Sequence, residues 1–192
     1  MERNLFFTSD MHFSHTNVIK YAKRPFKNAD EMNEEMIKRW NAVVTKQDIV
    51  YIIGDVAFER DHNKLVWLLS RLNGEKHLIE GNHDDKMHAS VKKCFQSISP
   101  LREIRVADAD NEFGWQYITL CHYPMLSWNK AHYGSWNLFG HEHGNFAHLE
   151  NNQQLDVGVD CWDYTPASYS QIKEKLKTLQ KRKVRHHNAD QE

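Results

Sequence analysis

The chain has 192 residues, 40% of them hydrophobic, and a formal charge of -1, with 26 acidic residues against 25 Lys and Arg. That length suits one well-buried core and is short for two domains, and the balanced charge advertises neither a nucleic-acid nor a membrane partner. No run of about 18 apolar residues is available to span a bilayer, the N-terminal apolar stretch is too short for a signal peptide, and Cys94, Cys121 and Cys161 lack CxxC spacing, so a cytoplasmic protein without a disulfide framework or zinc knuckle is expected.

In chain order, an apolar run over residues 5–8 predicts the first strand. A stripe of Met32, Met36, Ile37, Trp40, Val43 and Val44 then predicts a helix, residues 49–53 a second strand, and Leu65, Val66, Leu68, Leu69 and Leu72 a second helix stopped by Asn73-Gly74. Further strands are expected over residues 77–79, 104–107, 117–120, 137–139 and 155–159. A last helix is expected to open at Thr165-Pro166, with Ile172, Leu176 and Leu179 on one stripe. Strand and helix alternate in the first half and strands dominate the second, which predicts a sheet-rich core covered by helices on its outer faces. Residues 1–180 read as a single domain, and residues 181–192 as a polar, unpatterned, disordered tail.

Five short islands carry the chemistry: SDMH ending at His12, GDV around Asp55, GNHD from Gly81 to Asp84, CHYP around His122, and GHEH ending at His143. Each follows a predicted strand, and in layered α/β folds the crevice beyond the carboxyl ends of strands is where sites are built. On an extended segment side chains alternate, so Asp10 and His12 are expected to point the same way, as are His141 and His143, with Gly140 giving the backbone room. The Asp55 carboxylate has two oxygens and suits a bridge between two cations. Imidazole, carboxylate and amide oxygen without thiolate favour Mn, Fe, Zn, Ni or Co over an all-oxygen Ca or Mg cage. Two such ions about 3.5–4 Å apart lower the pKa of a bridging water and hold a phosphoryl group for in-line attack, so phosphoester hydrolysis is the expected reaction.

The ordered set D-x-H, G-D, G-N-H-D, H and G-H-x-H resembles the calcineurin-like metallophosphoesterases, from Asp10 to the Gly158-Val159-Asp160 segment. The resemblance implies a four-layer α/β/β/α sandwich with a binuclear centre, taken as Mn first and Fe, Zn, Ni or Co otherwise. It also implies that Asp10, His12, Asp55 and His143 hold one ion and Asp55, Asn82, His122 and His141 the other. His83 is then not a ligand but the general acid or oxyanion-stabilising group, with Asp84 orienting its ring.

Substrate contacts are less distinctive. His15 and Asn17 continue the first island, and Arg24 and Arg60 are candidate phosphate contacts because guanidinium matches phosphate geometry. Trp128, Tyr133 and Trp136 are candidates for a ring-binding wall, the alternative being that they only pack their loop. The expected substrate is a small phosphodiester or phosphomonoester, nucleotide-like, attacked by a metal-bridging hydroxide. A nuclease acting on nucleic-acid ends is the alternative, and a catalytically silent scaffold a third reading.

Overall fold

The computed structural model describes residues 3–182, so most of the expected tail over 181–192 lies outside the described residues. The strands are β1 (Leu5–Thr8), β2 (Ile49–Ile53), β3 (Glu75–Ile79), β4 (Ser97–Ser99), β5 (Leu101–Ala107), β6 (Trp115–Cys121), β7 (Trp136–Phe139), β8 (Gln154–Asp156) and β9 (Ala167–Ser168). The helices are α1 (Thr16–Tyr21), α2 (Ala29–Val43), α3 (His62–Ser70), α4 (Ala89–Lys92) and α5 (Tyr169–Thr178). One sheet runs β4-β3-β2-β1-β9, parallel except for β9; the other runs β5-β6-β7-β8, with only the β5–β6 pair antiparallel.

The central strands of the first sheet read as unbroken apolar runs because both their faces are covered. Phe6, Val50, Ile52 and Leu78 face a core built with Met32, Met36, Ile37 and Trp40 of α2 and Leu65, Leu68 and Leu69 of α3. Their neighbours Phe7, Tyr51, Ile53 and Ile79 face the opposite way, onto Ile118, Leu120, Leu138 and Leu155 of the second sheet and Ile172 and Leu176 of α5. Each such fully buried side chain contributes about 1.5–3 kcal/mol relative to exposure. The result is a mixed α/β sandwich, two sheets face to face and flanked by helices, as the sequence pattern implies.

Helix boundaries follow local capping. Asn28 accepts the N–H of Glu31 to start α2, and Asp61 accepts those of Asn63 and Lys64 to start α3. The last helix begins at Tyr169 rather than at Thr165-Pro166: Ser168 and Gln171 form a reciprocal capping box, and residues 167–168 are drawn into β9 against Phe6 and Phe7. The strand expected over 155–159 is confined to β8, and residues 159–161 turn into a 3-10 segment. Trp136 is buried between sheet and helix, stacked on Tyr169 at 5.4 Å, and the Trp128 indole N–H donates to the Ser135 carbonyl at 3.1 Å, so both pack the fold rather than line a ring-binding wall.

Candidate metal centre

The five islands lie where strands end, and their backbones are stitched to one another. The Asp10 N–H donates to the Gly54 carbonyl, His12 to Asp55, Phe13 to Val56 and Gly140 to His122, each at 3.0 Å. Side-chain convergence does not come from strand alternation, as expected from Asp-x-His, because the backbone is not extended there. Asp10 (φ 55°), His12 (51°), Asp55 (55°), His141 (72°) and His143 (48°) all occupy the left-handed region. For residues with a Cβ this costs about 1–3 kcal/mol each, and five of the ten non-glycine residues with positive φ among the described residues are candidate ligands. Gly140 is needed for close approach: a Cβ there would collide with the side chains of Ser9 and Asp10.

Two groups of donor atoms result, Asp10 with His12 and His143, and Asp55 with His122 and His141; within each group the atoms lie within 4.8 Å of one another. Asp55 spans both, its Oδ2 standing 3.5 Å from His12 Nε2 and its Oδ1 3.5 Å from His122 Nε2. Asn82 Oδ1 stands 3.2 Å from His122 Nε2, beside the second group. His122 Nδ1 is bonded to the Ile53 carbonyl at 2.8 Å, and His143 Nδ1 to Asp160 at 2.7 Å, so both rings are oriented with Nε2 turned to the site.

The buried atoms Asp10 Oδ1, His12 Nδ1 and His12 Nε2 have no hydrogen-bond partner among the described residues. Buried polar groups left so are rare and costly, and a cation beside them satisfies the carboxylate oxygen and the imidazole lone pair directly. Burial pushes the Asp10 carboxyl up to about 6. Burial, together with the neighbouring His143, holds His12 down at about 2, so its ring is neutral, the form that ligates metal. For His143 burial opposes protonation but the Asp160 hydrogen bond and the Asp10 charge outweigh it, raising its pKa. The two groups fit a binuclear centre.

His83 lies at the mouth rather than in either group. Its backbone N–H donates to Asp55 Oδ1 at 3.1 Å, its Nε2 is 3.9 Å from Asp55 Oδ2, and its ring meets Phe58 edge-on at 5.4 Å. Asp84 does not orient that ring. Its buried carboxylate accepts the backbone N–H groups of Asp55 (2.8 Å), Gly81 (2.9 Å) and Val56 (3.2 Å), which clamps two ligand loops together. Burial raises its pKa against those three hydrogen bonds.

A family model for the calcineurin-like phosphoesterases matches residues 4–165, and that stretch contains every residue of both groups. The chain belongs to this family. Among relatives, an uncharacterized protein of Methanocaldococcus jannaschii is 34% identical over 190 residues, covering 95% of this chain and 94% of its own length. The gene 66 protein of Mycobacterium phage L5 is 27% identical, covering 83% of this chain and 87% of its own. A solved protein of unknown function from Aquifex aeolicus shares the fold, with a TM-score of 0.69 at 22% identity over 91% of this chain and all of its own.

In this member of the family the four expected substrate contacts separate. Arg24 is turned inward: its fork grips Asp160 with two 2.8 Å bonds and donates to the carbonyls of Met11 (2.9 Å) and Asp10 (2.7 Å). It therefore supports the ligand loops and does not face a phosphate. His15 lines the cavity over the site and stacks on Phe58 at 4.4 Å. Arg60 lines the neighbouring cavity, while Asn17 is exposed on α1 and lines neither. Sequence reasoning did not single out Phe58, Asp156 or Asp160. Asp156 is buried and accepts the N–H groups of Gly144 (3.1 Å) and Gly158 (2.7 Å), fixing the His143 loop. The available signal was a stretch after the last histidine island, residues 144–165, that carries Glu150, Asp156, Asp160 and Asp163 and no Lys or Arg.

Proposed function

We propose that this chain is a binuclear metal-dependent phosphoesterase acting on a small, nucleotide-like phosphodiester or phosphomonoester, with His83 as proton donor to the leaving oxygen. The observation that carries the reading is Asp55, whose two oxygens face the two donor groups. Asp10, His12, Asp55 and His143 would hold one ion and Asp55, Asn82, His122 and His141 the other, with Mn the first candidate. Such ions supply positive charge to phosphoryl oxygens and make water a stronger nucleophile. The chain's own contribution is orientation. Asp160 and the Ile53 carbonyl aim His143 and His122, Asp84 locks the Asp55 and Gly81 loops, and Phe58 sets the pose of His83 at the mouth.

The test is a panel of nitrophenyl, cyclic nucleotide, dinucleotide and oligonucleotide esters with protein reconstituted in Mn, Ni, Co, Fe or Zn. Hydrolysis of at least one ester class is expected, and none across the panel overturns the reading. His83→Ala should keep its bound metal and lose activity by roughly 10²-fold or more. Loss of metal in that variant would remove His83 from the proton-transfer role.

A further inference from the structure

Two cavities open beside the metal centre, on opposite sides of a single ridge. One, of about 660 Å³, is walled by Arg60, His62, Lys86, Met87 and His88. The other, of about 390 Å³, is walled by His15, Val18, Tyr21, Ala22 and Asn145 and reaches the ligand histidines. They share only Phe58, Asn82 and His83. The ridge is firmly seated: Phe58 stacks on His15, meets the edge of His83, and is held by its backbone N–H on the Phe13 carbonyl at 2.8 Å.

From this arrangement we infer that the substrate is a phosphodiester whose two organic arms part over the Phe58–His83 ridge, one into each cavity. The inference rests on the phosphoesterase reading and narrows it. A monoester has one arm and occupies one cavity, whereas each of these is of a size that takes a ligand of its own. The walls differ in kind. The larger cavity presents Arg60, Lys86 and the face-to-face His62–His88 pair (4.4 Å, 7°) beside Leu65, Met87 and Val91; of its acids, Glu59 is tied to Lys64 at 3.2 Å, Asp84 to three backbone N–H groups, and Asp85 is the third. The smaller presents Val18, Ala22 and the rings of Tyr21, His15 and Phe58. The diester is therefore unequal, with a polar arm on the Arg60–Lys86 side and a flat, apolar-faced arm on the Tyr21 side. Hydrolysis joins a water oxygen to phosphorus and breaks one ester P–O bond. The departing oxygen takes a proton, and an alcohol and a phosphomonoester are released.

The experiment compares bis(4-nitrophenyl) phosphate with 4-nitrophenyl phosphate on the Mn-reconstituted protein and on Ala22→Trp and Met87→Trp, which fill one cavity each. The wild type should favour the diester by about 10-fold or more in kcat/KM, since losing one arm forfeits one set of wall contacts. In each filled variant that keeps the wild-type circular dichroism spectrum, the diester-to-monoester ratio should fall by about 10-fold. In parallel, bis(4-nitrophenyl) phosphate added to Zn-reconstituted protein should shift the backbone amide resonances of both Tyr21–Ala22 and Lys86–Met87. Equal or faster monoester hydrolysis, a ratio unmoved by both fillings, or shifts absent from either wall overturns the two-armed substrate while leaving the phosphoesterase intact. No turnover of either ester overturns the two-armed substrate, and no turnover across the whole panel of esters and metals overturns the phosphoesterase as well.

Discussion

Replacing Arg24 with Met tests whether the buried guanidinium supports the ligand loops as described. The Arg24 side chain is fully buried, its partner Asp160 is 8% exposed, and the pair is joined by two 2.8 Å bonds. Methionine fills most of the volume but leaves Asp160 charged and buried with only His143 beside it, a loss of about 3–5 kcal/mol for breaking a buried pair. The freed carbonyls of Asp10 and Met11 add about 1 kcal/mol each where water cannot reach them. These terms share partners and do not sum, so a net loss of about 4 kcal/mol is expected. For a chain of this size that corresponds to a fall of roughly 8–16 °C in melting temperature. Urea unfolding of the metal-free protein measures it, and a cycle with Asp160→Asn isolates the pair. The double variant should recover about 2 kcal/mol relative to Arg24→Met, because the stranded charge is gone. A loss under about 1 kcal/mol, or additivity within about 0.5 kcal/mol, would refute the buried-pair argument.

Further outcomes follow from the same geometry. Asp55→Asn should weaken binding at both ion positions, whereas His141→Ala should leave about one equivalent bound, read by elemental analysis after dialysis. Asp84→Asn loses a carboxylate accepting three backbone N–H groups and should cost about 1.5–3 kcal/mol with reduced metal affinity, seen in melts with and without added Mn. Away from the site, Asp108 accepts from Lys173 (2.6 Å) and from the Tyr169 hydroxyl (2.5 Å), pinning α5 to the end of β5. Burial pushes the Asp108 carboxyl up, but those bonds and the Asp110 N–H outweigh it, so its folded pKa is depressed. Its stabilisation is present above the unfolded carboxylate value near 3.9 and is lost as pH falls through the lower folded value. The wild type should be more stable than Asp108→Asn at pH 6 and lose that advantage below about pH 3.5; a constant gap would refute the linkage.

The sequence by itself determined which side chains are candidates to hold the ions. Ligand chemistry belongs to side-chain type, and the order Asp10, His12, Asp55, Asn82, His122, His141, His143 is readable because each island follows a strand whose apolar run is also readable. The main strands and the α2 and α3 stripes were legible for the same reason, since period-two and helical patterns are local. The start of α5 was less so, because a capping box at Ser168 and pairing of β9 with β1 competed with the proline signal.

Tertiary structure alone decided how the ligands are aimed. The left-handed backbone at five of them is imposed by contacts between loops, such as the His141 N–H on Asp10 Oδ2 across 131 residues of sequence. Arg24 and Asp160 are 136 positions apart, and nothing in either neighbourhood says that the arginine faces inward. Asp84 sits beside His83 in sequence yet serves the backbone of Asp55 and Val56. The two cavities likewise meet at Phe58, which packs against both His15 and His83. Local patterns carry information about turns, caps and buried faces, whereas a hydrogen bond or a ridge between distant loops depends on the packing that brings those loops together.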